Sequence, residues 1–439
     1  MDPLTSEVFK ERRNELMRRI GPNGVVLVHS PPDPGTWPFR PNADFTYLTG
    51  ILEPNATLVL RPGHEKPVVL FVRERDPERE RWDGLLTGTE RARSEFGADL
   101  AYPSTELAEK LPDLLAGRET LHYHFGHHHE FDKLVTECAS SLRKKERSGK
   151  QPFSKIVDTR QSLHEMRLRK SDHEISILKK AVAITKKAHL RAMSIASAGI
   201  GEFELEAAIA EEFRSAGGNG PGYQSIVGGG NRANILHYVN NDRKLEPGTL
   251  VLIDAGCDYQ GYTADVTRTF PVDGVFTQAQ KDCYQGVLEV QKSAIEQIRP
   301  GITLLDIHNF CVKGLTELMV KLGLLEGDVD ALIKDLSYKK FYMHRTSHWL
   351  GMDVHDVGSY TKDEQPRPVE AGMVITVEPR LYIDNSIDAP GEFRGIGIRI
   401  EDDILVTATG CEVLSSEIPK EVEELEKACA SSLGGPSAP

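Results

Sequence analysis

Four carboxylates and four histidines in the C-terminal half could act together. Asp254 ends the apolar run LVLID, and Asp265 lies in YTADVTRTF, a stretch of good strand formers. The two runs join through residues 257–261. An unbulged hairpin centred between Tyr259 and Gln260 would set Asp254 and Asp265 opposite each other, with Cβ atoms about 5 Å apart. Two carboxylates so placed repel by about 3 kcal/mol at an effective dielectric of 20, so the pair needs a shared proton or a cation. Glu378 closes the run MVITVE and is followed by Pro379, which stops a strand ladder. Glu401 lies in IGIRIEDDILV, where alternation puts Arg399, Glu401 and Asp403 on one face. Taken alone, Glu401 reads as an ion pair with Arg399 within a sheet; taken with the other acids, it reads as a fourth ligand. His344, His348 and His355 fall within YMHRTSHWLGMDVHDVG, and His237 lies upstream in ILHYVNND. Arg345 in second place excludes the zinc motif H-E-x-x-H. Acids with an imidazole form a hard, oxygen-rich donor set that suits Mn²⁺, Mg²⁺ or Ca²⁺. Four ionised carboxylates balance two divalent ions, so a two-ion site with bridging acids is expected.

Strands and helices must bring these residues together. Short apolar runs at 25–29, 57–60 and 68–72 predict strands in the first third. The texture changes near residue 165. S-x-x-E at Ser171 and Glu174 predicts a capping box opening a helix over 171–196, and a second helix over 202–216 runs into Gly217–Gly218. Strands follow at 250–254, 263–270, 373–378 and 397–406, with helices at 278–299 and 304–322 between them. The segments EPGTLVLID and EAGMVITVE share a Glu-x-Gly start, an apolar run and a terminal carboxylate. If this echo is a true repeat, two half-domains each deliver an acid to a shared centre. The basic segment 142–151 and the histidine-rich segment 122–132 read as solvated loops, the glycines at 228–230 as a substrate-lining loop, and Cys257 as a small buried hydrophobe. The tail at 434–439 is expected to be disordered.

Composition sets the outer limits. The chain has 439 residues, 39% hydrophobic and 27% charged, with a net charge of −13. Its acidity argues against nucleic acid or an anionic membrane as main partner, and no apolar run approaches the ~18 residues of a membrane span. The opening residues lack an apolar signal core. Six scattered cysteines without a CxxC pair fit a reducing cytoplasm.

The segments HEMRLRKS (164–171), ILHY (235–238), LVLIDAGCDYQGYTADVTRTFP (250–271), SHWLGMDVHDVG (347–358), GMVITVEP (372–379) and GIGIRIEDDILV (395–406) together resemble the pita-bread metallopeptidases, specifically the Xaa-Pro aminopeptidases (aminopeptidase P). A weaker likeness, NADFTYLTG (42–50), extends into the first half. The resemblance implies an α/β (α+β) protein: a smaller N-terminal creatinase-like α/β domain over 1–165 and a C-terminal pita-bread catalytic domain over 166–432. It implies Asp254, Asp265, His348, Glu378 and Glu401 as ligands of two divalent ions, typically Mn²⁺, with Asp265 and Glu401 bridging. It implies His237, His344 and His355 around the substrate, Glu378 as proton carrier and Arg399 steadying a ligand. Asp44, Trp82 and Tyr223 are further candidates for substrate contact, Trp82 by reaching a neighbouring subunit. The implied activity removes an N-terminal residue that precedes proline, in a cytoplasmic homo-oligomer, dimer or tetramer. Two departures stand out: the family commonly has glycine where this chain has Arg345 and Arg380, two cations that bear on pocket shape and substrate length. A dipeptide-specific prolidase would use the same five ligands. The large N-terminal domain disfavours a methionine aminopeptidase, and a non-catalytic binding module would be expected to lose ligands.

Overall fold

The computed structural model describes residues 5–33 and 41–430, so the tail at 434–439 lies outside it. The chain divides into two compact units, Met1–Met166 and Arg167–Pro439.

The first unit is built on a six-stranded sheet. Its strands run, edge to edge, Leu100–Pro103, Val68–Val72, Ala56–Leu60, Gly24–Ser30, Thr120–Tyr123 and Lys155–Val157. The middle three are antiparallel and the outer pairings parallel. Strands such as VVLFV are apolar at every position and wholly buried, the pattern of a sheet covered on both faces. Helices Leu107–Leu115 and His129–Lys144 set Leu111, Leu115, Val135 and Leu142 against Val25, Leu27, Val59 and Phe71. The segment 142–151 is largely exposed, though its first residues finish a helix. The histidine-rich stretch is only partly a loop. His122 and Tyr123 end a strand, and His128 caps a helix by accepting from the Phe131 amide at 3.3 Å.

In the second unit, helices Asp172–Ile195, Glu202–Ser215, Gln278–Glu296 and Leu304–Lys321 pack with short antiparallel sheets. The expected capping box is present: the Ser171 amide donates to Glu174 Oε2 at 3.0 Å, and the Ser171 hydroxyl accepts from the Glu174 amide. The second helix ends before Gly217, whose φ of +86° suits a residue without a Cβ. Strand Leu250–Asp254 lies between Ile226–Gly229 and Thr267–Pro271. Strand Val374–Val377 pairs with Asp402–Val406.

Two strand expectations are corrected. The hairpin closes through a two-residue turn at Gln260 and Gly261, both at positive φ, rather than through a five-residue one. The register therefore pairs Asp254 with Thr267, not with Asp265. Asp265 falls opposite Gly256, where the ladder is interrupted between the pairs Asp254–Thr267 and Asp258–Thr263. The run 397–406 is not one strand: Ile396–Arg399 pairs with Arg380–Ile383, and Asp402–Val406 joins another sheet. Glu401 sits at the break, freed from simple alternation. The glycines at 228–230 serve close packing: a Cβ on Gly228 would lie 3.1 Å from the Ala233 amide. Cys257 is fully buried, as expected, and burial pushes its thiol up to about 12. All six cysteines are free. No helix among the described residues is long and apolar enough to cross a membrane.

Candidate metal centre

Four backbone devices bring the acids to one cavity of about 310 Å³. Asp254 ends its strand there. Asp265 enters from the interrupted part of the hairpin, its amide donating to Asp403 Oδ2 at 3.2 Å. Glu378 follows strand Val374–Val377, and its amide donates to the Thr346 carbonyl at 2.9 Å. The Thr376 amide donates to the His348 carbonyl at 3.0 Å, so the extended segment carrying His348 lies alongside the strand leading to Glu378. Glu401 is placed by its amide bond to the Thr267 carbonyl at 3.1 Å. Asp254 and Glu378, the two ends of the sequence echo, thus line the same cavity, with Asp265, His348 and Glu401.

Donor atoms of Asp265, His348 and Glu401 all lie within 4.8 Å of one another, the one such trio among the described residues. His348 Nε2 is 3.3 Å from Asp265 Oδ2 and 3.9 Å from Glu378 Oε1. His348 Nδ1 lies 3.0 Å from the Trp349 carbonyl; donating there turns Nε2 toward the acids. Tyr223 Oη lies 2.6 Å from an oxygen of both Asp254 and Asp265, so the two acids do converge, through a phenol rather than across a ladder.

Electrostatics separates the acids into two classes. Arg399 Nη2 is 2.5 Å from Asp254 Oδ2, which corrects the reading that paired Arg399 with Glu401. Arg380 Nη1 is 3.4 Å from Glu378 Oε2. No guanidinium among the described residues pairs with the Asp265 or Glu401 carboxylate; Glu401 accepts from the Thr267 hydroxyl at 2.6 Å. They are 4% and 2% exposed, and burial carries a carboxylate toward its neutral form. Burial and the nearby Asp254 lift Asp265 to about 6 despite its bond from His348. Burial, then Asp265 and Glu378, holds Glu401 well above the usual carboxylate range. Burial opposes charge on His348, but the bond to Asp265 and the field of that acid and Glu378 raise its ring to about 9. Oxygen donors that crowd together, with one imidazole among them and a guanidinium on only two of the four acids among the described residues, fit divalent ions.

His237, His344 and His355 line the same cavity, as do Tyr223 and Arg399. The His355 ring packs edge-on against His348 at 4.5 Å between centroids. Burial and the neighbouring Arg380 lower the pKa of His344. Asp44 and Trp82 belong to the first unit. Asp44 lies 3.1 Å from His164 Nε2, and Trp82 is 89% exposed on helix Pro77–Asp83.

Behind the acids lies a buried network that strand patterning did not reveal. Asp402 takes Arg268 at 2.7 Å, Ser415 at 2.6 Å, Lys420 at 2.6 Å and Gln291 at 2.9 Å. Although burial opposes its ionisation, Arg268 and Lys420 hold its carboxyl far below the usual range. Two cations far apart in sequence on one carboxylate leave no periodic signal.

A family model for Metallopeptidase family M24 matches residues 176–408, and one for Aminopeptidase P, N-terminal domain, matches residues 9–123. The chain is 43% identical over 433 residues to a Xaa-Pro aminopeptidase of Haemophilus influenzae, covering 97% of this chain and 98% of that one. It is 42% identical to a Xaa-Pro aminopeptidase of Escherichia coli, with the same coverage. Among solved structures, Pseudomonas aeruginosa aminopeptidase PepP matches with a TM-score of 0.96 at 42% identity, over 99% of this chain and 100% of that one. Zinc-substituted E. coli aminopeptidase P in complex with product matches with a TM-score of 0.95 at 41% identity, over 98% and 99%. Crowded acids around one histidine, a mixed helix-and-sheet fold shared with aminopeptidase P and these likenesses along nearly its whole length establish that the chain belongs to metallopeptidase family M24, with an aminopeptidase P N-terminal domain ahead of its pita-bread domain.

Proposed function

We propose that this chain is a Xaa-Pro aminopeptidase, a metal-dependent exopeptidase that removes the N-terminal residue of peptides with proline in second place. The observation that carries the reading is the convergence of Asp254, Asp265, His348, Glu378 and Glu401 on one cavity that three further histidines also line. These five side chains would hold two divalent ions, Mn²⁺ by preference, with Asp265 and Glu401 shared between them. When bound, such ions lower the pKa of water toward about 7 and polarise the scissile carbonyl. The protein's own groups do the rest. Glu378 carries the proton from water to the leaving proline nitrogen. His355 or His237 donates to the oxyanion as it develops, and His344 holds substrate. Arg399 orients Asp254 through their 2.5 Å contact. We assign residues 1–165 to an aminopeptidase P/creatinase-like domain and 166–432 to the catalytic domain. Asp44 would receive the substrate amine, Tyr223 would order the acids beside the substrate, and Trp82 would serve a neighbouring copy in a cytoplasmic dimer or tetramer. The large exposure of Trp82 supports that role.

Protein purified without chelator and supplied with Mn²⁺ should release Ala from Ala-Pro-Ala faster than from Ala-Pro. The reverse order would make it a dipeptidase, and inertness toward both would remove the peptidase reading. Asp265→Ala should lose both metal and activity; a variant that still binds two ions rules out the bridging role.

A further inference from the structure

A second cleft, of about 330 Å³, lies beside the metal cavity, and His344 lines both. Its ionisable side chains are Lys339, Arg345, His308 and His344 with three tyrosines, and no carboxylate among the described residues lines it, in a chain of net charge −13. Arg345 and Lys339 are exposed at its edge. On its wall, His308 Nδ1 is 2.9 Å from Thr346 Oγ1, and Tyr342 also bonds Thr346. Ser347 Oγ is buried without a hydrogen-bond partner. His308 shows the sign of the local field: burial first, then Arg345, Arg380, His344 and Lys339, hold its ring down to about 4. Arg380 ties the two cavities together. It lines the metal cavity beside Glu378, donates to the Arg345 carbonyl at 2.5 Å and contacts the His344 ring. The two arginines thus shape one strap, His344–Arg345, that separates the cavities.

We propose that the cleft receives the substrate beyond its proline and selects peptides bearing a carboxylate there, met by Arg345 and Lys339. This rests on the aminopeptidase reading. The carboxylate can belong to an acidic side chain or to the chain terminus of a short peptide. Four peptides separate the sources: Ala-Pro-Ala-Ala amide, the same peptide as free acid, Ala-Pro-Ala-Asp amide and Ala-Pro-Ala-Lys amide. At low salt the Asp amide and the free acid should show kcat/KM about fivefold above the neutral amide, with the Lys amide below it, as expected for partly exposed ion pairs. The gap should close at high salt. A preference for the Asp amide alone assigns the cleft to side chains, and one for the free acid alone assigns it to chain ends. In the double variant Lys339→Ala/Arg345→Ala the ratio of acidic to neutral rates should fall to about one. Equal wild-type rates across the set, or a ratio unchanged in the double variant, overturns the proposal. Calorimetric binding of the same peptides reads the cleft without turnover. Preferential binding of carboxylates with no cleavage defeats the aminopeptidase reading and leaves the cleft standing; indifferent binding defeats the cleft.

Discussion

A buried carboxylate without a guanidinium has to keep its proton or find a cation, and Asp265 and Glu401 are in that position. Asp254 and Glu378 have Arg399 and Arg380, whereas Asp265 has only the His348 ring, at 3.3 Å. Asp265 and Glu401 are the pair that the resemblance places between ions. A proton therefore competes with metal at Asp265. Its folded pKa is raised to about 6, so below that pH an entering cation must displace a proton. Affinity for Mn²⁺ should fall about tenfold per pH unit for each proton displaced as pH drops from 6 to 5. Titration calorimetry of metal-free protein in buffers of different ionisation enthalpy measures the number released. An affinity flat across that range would show that Asp265 is not a ligand. The residue types and their apolar neighbours made these acids legible. Which of them receive a guanidinium was not, because Arg399 stands beside Glu401 in the sequence yet pairs with Asp254, 145 residues away.

At the scale of elements, the hairpin shows how a small register error leaves a site recognisable. Periodicity placed both strands, but the turn was misjudged because Cys257–Tyr259 is strand rather than loop. Gln260 and Gly261 take the two left-handed positions instead. The interruption opposite Asp265 depends on Gly256, where a Cβ would lie 1.8 Å from the Ala264 carbonyl oxygen. Gly256→Ala should cost about 1–3 kcal/mol by overpacking and displace Asp265. Circular dichroism should show a folded protein whose metal content is below wild type; full metal occupancy would contradict this account of the bulge. The helix Asp172–Ile195 backs the same hairpin. Its His189 is fully buried, with Nε2 3.1 Å from the Ala255 carbonyl, and burial holds its ring at about 4. A base with a lowered folded pKa contributes stability that is complete above its unfolded value near 6.5 and lost as pH falls toward 4. At pH 5 that loss is on the order of 2 kcal/mol. Urea melts of His189→Gln should show a shallower decline between pH 7 and pH 5 than wild type; parallel declines would remove His189 from the acid limb.

Across the whole molecule, the largest core cluster packs around the strands that end at the site. Val251, Ile253, Ile398 and Ile400 are buried in it together with Phe213, Tyr284 and Leu315 from the surrounding helices. On the proposed ligand assignment metal and folding are coupled, since the five side chains come from separate strands and segments and meet only in the native state. Divalent ion at a hundredfold excess over its Kd should add about 2.7 kcal/mol to unfolding. A chelator should reverse it. Calorimetric melting with and without Mn²⁺ checks this, and a Tm indifferent to metal would show that the ions do not bind the folded state selectively.

The sequence by itself determined which residues could do chemistry, most helix and strand positions, the capping box at Ser171 and a resemblance that reached the family. These are local matters, written in residue type and in periods of two and near four. Tertiary structure decided which acids receive an arginine, how Tyr223 joins Asp254 to Asp265, and that Arg345 and Arg380 shape a strap between two cavities. Except for Arg380 beside Glu378, each joins residues 31 to 145 apart at ångström distances. No local pattern encodes such a meeting, because burial and partner charge arise only when the chain closes on itself.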